Sequence, residues 1–160
     1  MRKLKVYLET TVWNYLFADE IPDKKDKTIE LFNMVKEQEF EIFISDIVIQ
    51  ELAETRQDEK RVDMLNKVRE YMPTELSNSL ESITLAEQYI GRGIIPARYR
   101  NDAFHIAIAV VEDLDVVVSW NMSHIVRLKT KIEVNGLNRL NGYKEIEFCT
   151  PEEVIGSETR

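Results

Sequence analysis

Apolar and polar positions alternate along this chain in two periods, and the switches between them divide it into elements. Leu4–Leu8 (LKVYL) is a brief apolar run with the β-favouring Val6 and Tyr7, and reads as a strand. It ends abruptly in Glu9-Thr10-Thr11, after which apolar and aromatic residues resume. Ile29, Leu31, Phe32 and Val35 carry a helical spacing over 23–38. Residues 41–45 (EIFIS) form a second strand, and a helix follows over 46–54 with Ser45 or Asp46 as its N-cap. A charged helix spans 58–71 and stops before Pro73. Another covers 79–90, closed by Gly91 and Gly93. A helix over 99–112 leads into 115–120 (DVVVSW), a continuous apolar strand expected to be buried on both faces. A short helix over 122–128, turns at Asn135-Gly136 and Asn141-Gly142, and a last strand at 145–149 complete the order. From Pro151 onward the chain reads as a loose tail, which gives one domain over 1–150 and a tail over 151–160.

Strands alternating with helices predict an α/β fold: a three-layer sandwich around a mostly parallel sheet. In open sheets of this kind ligands bind beyond the carboxyl ends of the strands. Glu9 lies past the first strand, Ser45 and Asp46 at the end of the second, and Asn121 past DVVVSW. Glu51 lies about one and a half turns into the helix after the second strand, and Asp102 near the start of the helix before DVVVSW. Three carboxylates and one amide are thereby directed to one edge of the sheet.

Each of these residues also has an ordinary structural reading. At roughly 100° per residue from Ile47, Glu51 falls at about 40°, on the margin of the apolar arc formed with Val48, Ile49 and Leu52. Either it leans outward to water or it is a partly buried acid that needs a partner or a cation. Asp102 either caps its helix or serves a site. His105 sits on a helix apolar almost all round and by itself reads as a satisfied core histidine. Thr10 and Thr11 bond the turn backbone or orient neighbouring carboxylates. Trp13, Tyr15 and Phe17 read as core, and Trp120 as either core or a stacking surface. Converging carboxylates repel unless a positive charge lies between them, and oxygen donors are what Mg2+ or Mn2+ take. A cation at such a place activates water and stabilises an in-line phosphoryl displacement.

The composition is that of an ordinary globular chain, with 44% hydrophobic and 31% charged residues among 160. The single cysteine, Cys149, excludes an internal disulfide and suits a reducing cytoplasm. The N-terminal MRKLKVYLETT has neither the apolar length of a signal peptide nor that of a membrane span, so a cytoplasmic protein without membrane contact is expected. The net charge of -8 weighs against a general nucleic-acid binder. Phosphate contacts would have to come from Arg92, Arg98 and Arg100 or from the later Arg127, Lys129, Lys131, Arg139 and Lys144.

Four stretches together resemble the PIN-domain family of metal-dependent nucleases, which includes toxins of VapC type. VYLETTVWNYL resembles the first motif and ISDIVIQELAE the second; NDAFHIAIAVVEDLDVVVSWNMSHI resembles the third and fourth. The resemblance implies a Rossmann-like parallel sheet, an Mg2+ or Mn2+ site and endonucleolytic cleavage of RNA, with a cognate antitoxin protein as partner and homodimerisation as a family habit. It places Glu9, Glu51 and Asp102 as metal ligands, with Asn121 completing the catalytic set. Glu9 stands where the family has Asp, and Asn121 where many members have a fourth acid. Thr11, His105 and His124 fall in supporting or phosphate-facing places, and Arg98 or Arg100 contacts substrate. Because of Glu9 and Asn121, a catalytically weakened PIN-like module that binds RNA or a protein partner is the alternative. A phosphatase with a nucleophilic aspartate is disfavoured, since Glu9 occupies that place.

Overall fold

The computed structural model describes residues 2–122 and 127–158. Five strands, β1 (Leu4–Leu8), β2 (Phe40–Ser45), β3 (Thr74–Leu76), β4 (Val116–Val118) and β5 (Glu147–Cys149), form one sheet in the order β3-β2-β1-β4-β5. Every neighbouring pair is parallel. The helices are α1 (Thr10–Tyr15), α2 (Pro22–Lys36), α3 (Asp46–Ala53), α4 (Asp58–Tyr71), α5 (Leu80–Gly91), α6 (Arg100–Val111), α7 (Leu128–Leu140) and α8 (Pro151–Glu158). A 3-10 turn, Ala97–Tyr99, leads into α6. Among the described residues no helix is long and apolar enough to cross a membrane.

The expected α/β sandwich is the one observed. Val6, Tyr7 and Leu8 are successive and all fully buried, which requires cover on both faces of the sheet. Val116, Val117 and Val118 beside them are buried too. The strand order reverses between β1 and β4, so a crevice opens beyond their carboxyl ends. The Glu9 N–H donates to Val118 O at 3.0 Å and carries the ladder one residue past β1, which sets Glu9 at the mouth of that crevice.

Two expectations need correction, and three elements were not anticipated. Asn135-Gly136 is no turn; it lies inside α7, whose buried face is Val134, Leu137 and Asn138. Asn135 instead uses its amide on the Ile146 backbone, donating at 3.0 Å and accepting at 2.8 Å, and so ties α7 to the approach to β5. Asn141-Gly142 does form a turn, and Gly142 takes the positive φ that glycine accommodates. The residues expected to be a loose tail form α8, with Val154 and Ile155 buried and the helix packed on α2 and β5. Thr150 and Glu153 cap it reciprocally, each side chain accepting the other's backbone N–H, with Pro151 at the first helical position. The short α1, the edge strand β3 and, beyond Leu128, the helix α7 were not anticipated. The short helix expected over 122–128 falls mostly outside the described residues, and Leu128 opens α7 instead.

At the opposite end of the sheet from the crevice, Asp115 gathers cations. It accepts from Arg2 at 2.9 and 2.7 Å, from the Lys5 N–H at 2.8 Å and from Lys144 Nζ at 2.9 Å. The Arg2 bonds, aided by Lys5 and Lys144 and opposed by partial burial, hold its carboxyl well below the usual aspartate range. A depressed folded-state pKa contributes stability above the unfolded value, and that contribution is lost as pH falls through the folded one. Asp115→Asn is therefore expected to cost about 2 kcal/mol in urea unfolding at neutral pH. The gap to wild type should narrow below about pH 4, and a gap independent of pH would contradict this account.

Candidate metal centre

The local sequence explains why an acid closes β1. Glu9 is the N-cap of α1: its Oε1 accepts from the Thr11 N–H at 3.0 Å and from Thr11 Oγ1 at 2.5 Å. From across the crevice Ser119 Oγ, just past β4, donates to the same oxygen at 2.8 Å. Glu9 is only 6% exposed, and three donors on Oε1 offset the cost of burying it. Among the described residues no hydrogen bond reaches its Oε2. Thr11 Oγ1 also accepts the Trp120 N–H at 2.9 Å, which couples the two strand ends.

Glu51 comes from α3, capped by Ser45, whose Oγ accepts the Ile47 N–H at 3.2 Å. The carboxylate turns toward the crevice and not out to water. Its Oε1 accepts from Thr10 Oγ1 at 2.5 Å and from His105 Nε2 at 2.7 Å, while among the described residues Oε2 receives only Asn101 Nδ2 at 3.3 Å. Burial resists ionisation of Glu51, but the bond and charge of His105, with the Thr10 and Asn101 bonds, bring it below the ordinary glutamate value. His105 is fully buried. Burial disfavours its imidazolium, yet the Glu51 bond and the charges of Glu9, Glu51 and Asp102 raise its pKa. Tyr7 OH lies 2.6 Å from His105 Nδ1 and 2.7 Å from Ser45 Oγ. Its phenol is pushed well above the ordinary range, chiefly by burial.

One ligand atom each from Glu9, Glu51 and His105 can be chosen so that all lie within 4.8 Å of one another. Two carboxylates at this spacing supply the hard oxygens that a divalent cation of the Mg2+ or Mn2+ type takes, while both His105 nitrogens are already engaged, by Glu51 and by Tyr7. Each carboxylate is anchored through one oxygen and leaves the other less engaged.

The remaining candidate residues are placed as follows. Asp102 lies in the first turn of α6, half-buried, and its charge is felt at His105, but it is not among the three converging groups. Asn121 is exposed, and its N–H donates to Ser119 Oγ at 3.0 Å. Arg98 is exposed and lies over the Tyr99 ring at 4.8 Å. Arg100 pairs with Glu87 of α5. His124 lies outside the described residues. Trp13 packs in the core against Phe32 and Tyr71. Trp120 is half-buried; its ring stacks on Tyr15 at 5.8 Å and its Nε1–H donates to Thr28 Oγ1 at 2.9 Å. Sequence reasoning missed Tyr7, Asn101 and Ser119 as members of this network. Ser119 alone carried a signal, a hydroxyl at the end of an otherwise apolar strand.

No family model matches the chain, and no curated protein matches it. Among solved structures it is similar to a chain in the crystal structure of VapBC2 from Rickettsia felis bound to a DNA fragment from their promoter. The TM-score is 0.57 at 16% identity, over 92% of this chain and 98% of that one. Similarity at this identity is one of fold, and with the all-parallel sheet and its β1/β4 crevice it gives the chain a PIN-like, Rossmann-like architecture.

Proposed function

We propose that this protein is a divalent-metal-dependent endoribonuclease, with its cation held at the mouth of the β1/β4 crevice. The observation that carries this is the convergence of Glu9 and Glu51 from separate elements at the switch point of a parallel sheet, each braced by hydroxyl or amide donors. Two buried or half-buried acids this close are costly without a positive charge between them.

Glu9 and Glu51 hold the cation through the oxygens their protein donors leave less engaged, and Asp102 joins them from the start of α6. Bound there, Mg2+ or Mn2+ supplies Lewis acidity toward a phosphodiester and a nucleophilic water. Thr11 and Ser119 fix the Glu9 rotamer, while Thr10, His105 and Asn101 fix Glu51. Asn121, exposed past β4, accepts from water or substrate through its amide oxygen. Arg98 and, on release from Glu87, Arg100 contact the RNA backbone at the entrance to α6. The VapBC2 structure is a complex, and a cognate antitoxin protein is proposed as the partner that restrains this chain.

The test is cleavage of a single-stranded RNA with Mn2+, with EDTA, and with Asp102→Asn. Cleavage with Mn2+ should be lost in EDTA and fall at least about 100-fold in Asp102→Asn, at unchanged circular dichroism. RNA bound equally well with Mn2+ or EDTA and never cut would reject the nuclease in favour of a non-catalytic binding module. The acidic net charge of -8 is the observation that favours that second reading.

A further inference from the structure

Glu51 is a helix side chain that must be held in one rotamer to serve a site, and ordering so flexible a group costs rotamer entropy. The structure holds it by a line of buried hydrogen bonds. An ionised carboxylate donates nothing, so His105 Nε2 carries the proton in the 2.7 Å bond to Glu51 Oε1. Tyr7 OH bridges His105 Nδ1 at 2.6 Å and Ser45 Oγ at 2.7 Å, donating to one and accepting from the other, and Ser45 Oγ accepts the Ile47 N–H at 3.2 Å. The line leaves α3 at Ile47, passes through the end of β2, β1 and α6, and returns to α3 at Glu51. Each link has both a donor and an acceptor.

Ser45, Tyr7 and His105 are all fully buried. Polar groups in such places are costly unless satisfied, and Phe at Tyr7 and Leu at His105 would fill nearly the same volumes without that cost. The network is therefore better explained by what it orients than by stability. A hydrogen-bonded outer layer of this kind is what fixes ligand geometry in metal sites.

We infer that His105, backed by Tyr7 and Ser45, is a positioning residue that fixes the Glu51 carboxylate and turns its Oε2 toward the cation. This rests on the metal site proposed above.

The experiment is calorimetric Mn2+ binding to wild type, His105→Leu, His105→Gln and Tyr7→Phe. It is paired with metal-free thermal unfolding and with NMR of the His105 ring nitrogens, assigned with the aid of His124→Gln. His105→Leu should weaken Mn2+ binding by about 10- to 100-fold. His105→Gln, which keeps an N–H for Glu51, should stay within about threefold of wild type. Tyr7→Phe, which removes one hydroxyl from an otherwise unchanged ring, should weaken binding about three- to tenfold and shift the His105 ring-nitrogen signals from their wild-type positions. If His105→Leu does not fold, Tyr7→Phe decides the matter. Mn2+ binding within about twofold of wild type in Tyr7→Phe and in every folded His105 variant would overturn the inference and leave the metal site standing. A wild type that binds no Mn2+ would remove both.

Discussion

Glu9→Gln is expected to abolish metal-dependent RNA cleavage, by at least about 100-fold, while the protein stays folded. The substitution is selective because of how Glu9 is held. Its Oε1 receives Thr11 N–H, Thr11 Oγ1 and Ser119 Oγ. An amide oxygen accepts the same three bonds, so the α1 cap and the link across the crevice to β4 survive. The charge is lost, and the second oxygen becomes an NH2 group that cannot ligate a cation. Parallel RNA-cleavage and circular-dichroism measurements check this. Cleavage within a few-fold of wild type, on the order of the scatter between neutral surface variants, would show that Glu9 only caps a helix.

Ending the chain after Thr150 is expected to destabilise it by roughly 4 kcal/mol, a fall in Tm of roughly 10 °C. α8 buries Val154 and Ile155 against the body of the fold and packs along α2. Losing one buried aliphatic side chain costs about 2–5 kcal/mol, because partners on both sides of the gap lose contact. Ile155→Ala should reproduce about half of the effect. Urea unfolding of the full chain, the truncated chain and Ile155→Ala measures both. Equal stability of all three would mean that residues beyond 150 are the loose tail expected of a chain terminus.

That tail shows where the sequence was legible and where it was misread. Thr150-Pro151-Glu152-Glu153 has the hydroxyl, the proline and the acid of a capped helix start. The charged residues around Val154 and Ile155 obscured it. Asn135-Gly136 misled in the opposite sense: a strong turn dipeptide lies in a helix because Val134 and Leu137 bury on one face and Asn135 finds Ile146 as a partner. α1 is only six residues long and β3 only three, too short for a period to show. The elements that frame the crevice were clear. β1 and β4 are apolar runs with sharp ends, and α3 has an N-terminal signal and an apolar arc.

At the site, strand-end reasoning brought Glu9 and Glu51 to the crevice, since a carboxylate at the end of a buried strand has few other uses. The layer behind them was not legible. Tyr7 and His105 are 98 positions apart, and a tyrosine in a strand or a histidine in an apolar helix each has a sufficient local explanation. Ser45 read as an N-cap, which it is; its second bond, to Tyr7, depends on β1 and β2 being adjacent.

The central claim is that Glu9 and Glu51 share one divalent cation. Calorimetric titration of Mn2+ into wild type, Glu9→Gln and Glu51→Gln tests it most directly. The account predicts saturable binding in wild type that is lost, or weakened at least about 100-fold, in each variant. Wild-type affinity retained in both variants, or no binding by wild type, would contradict it.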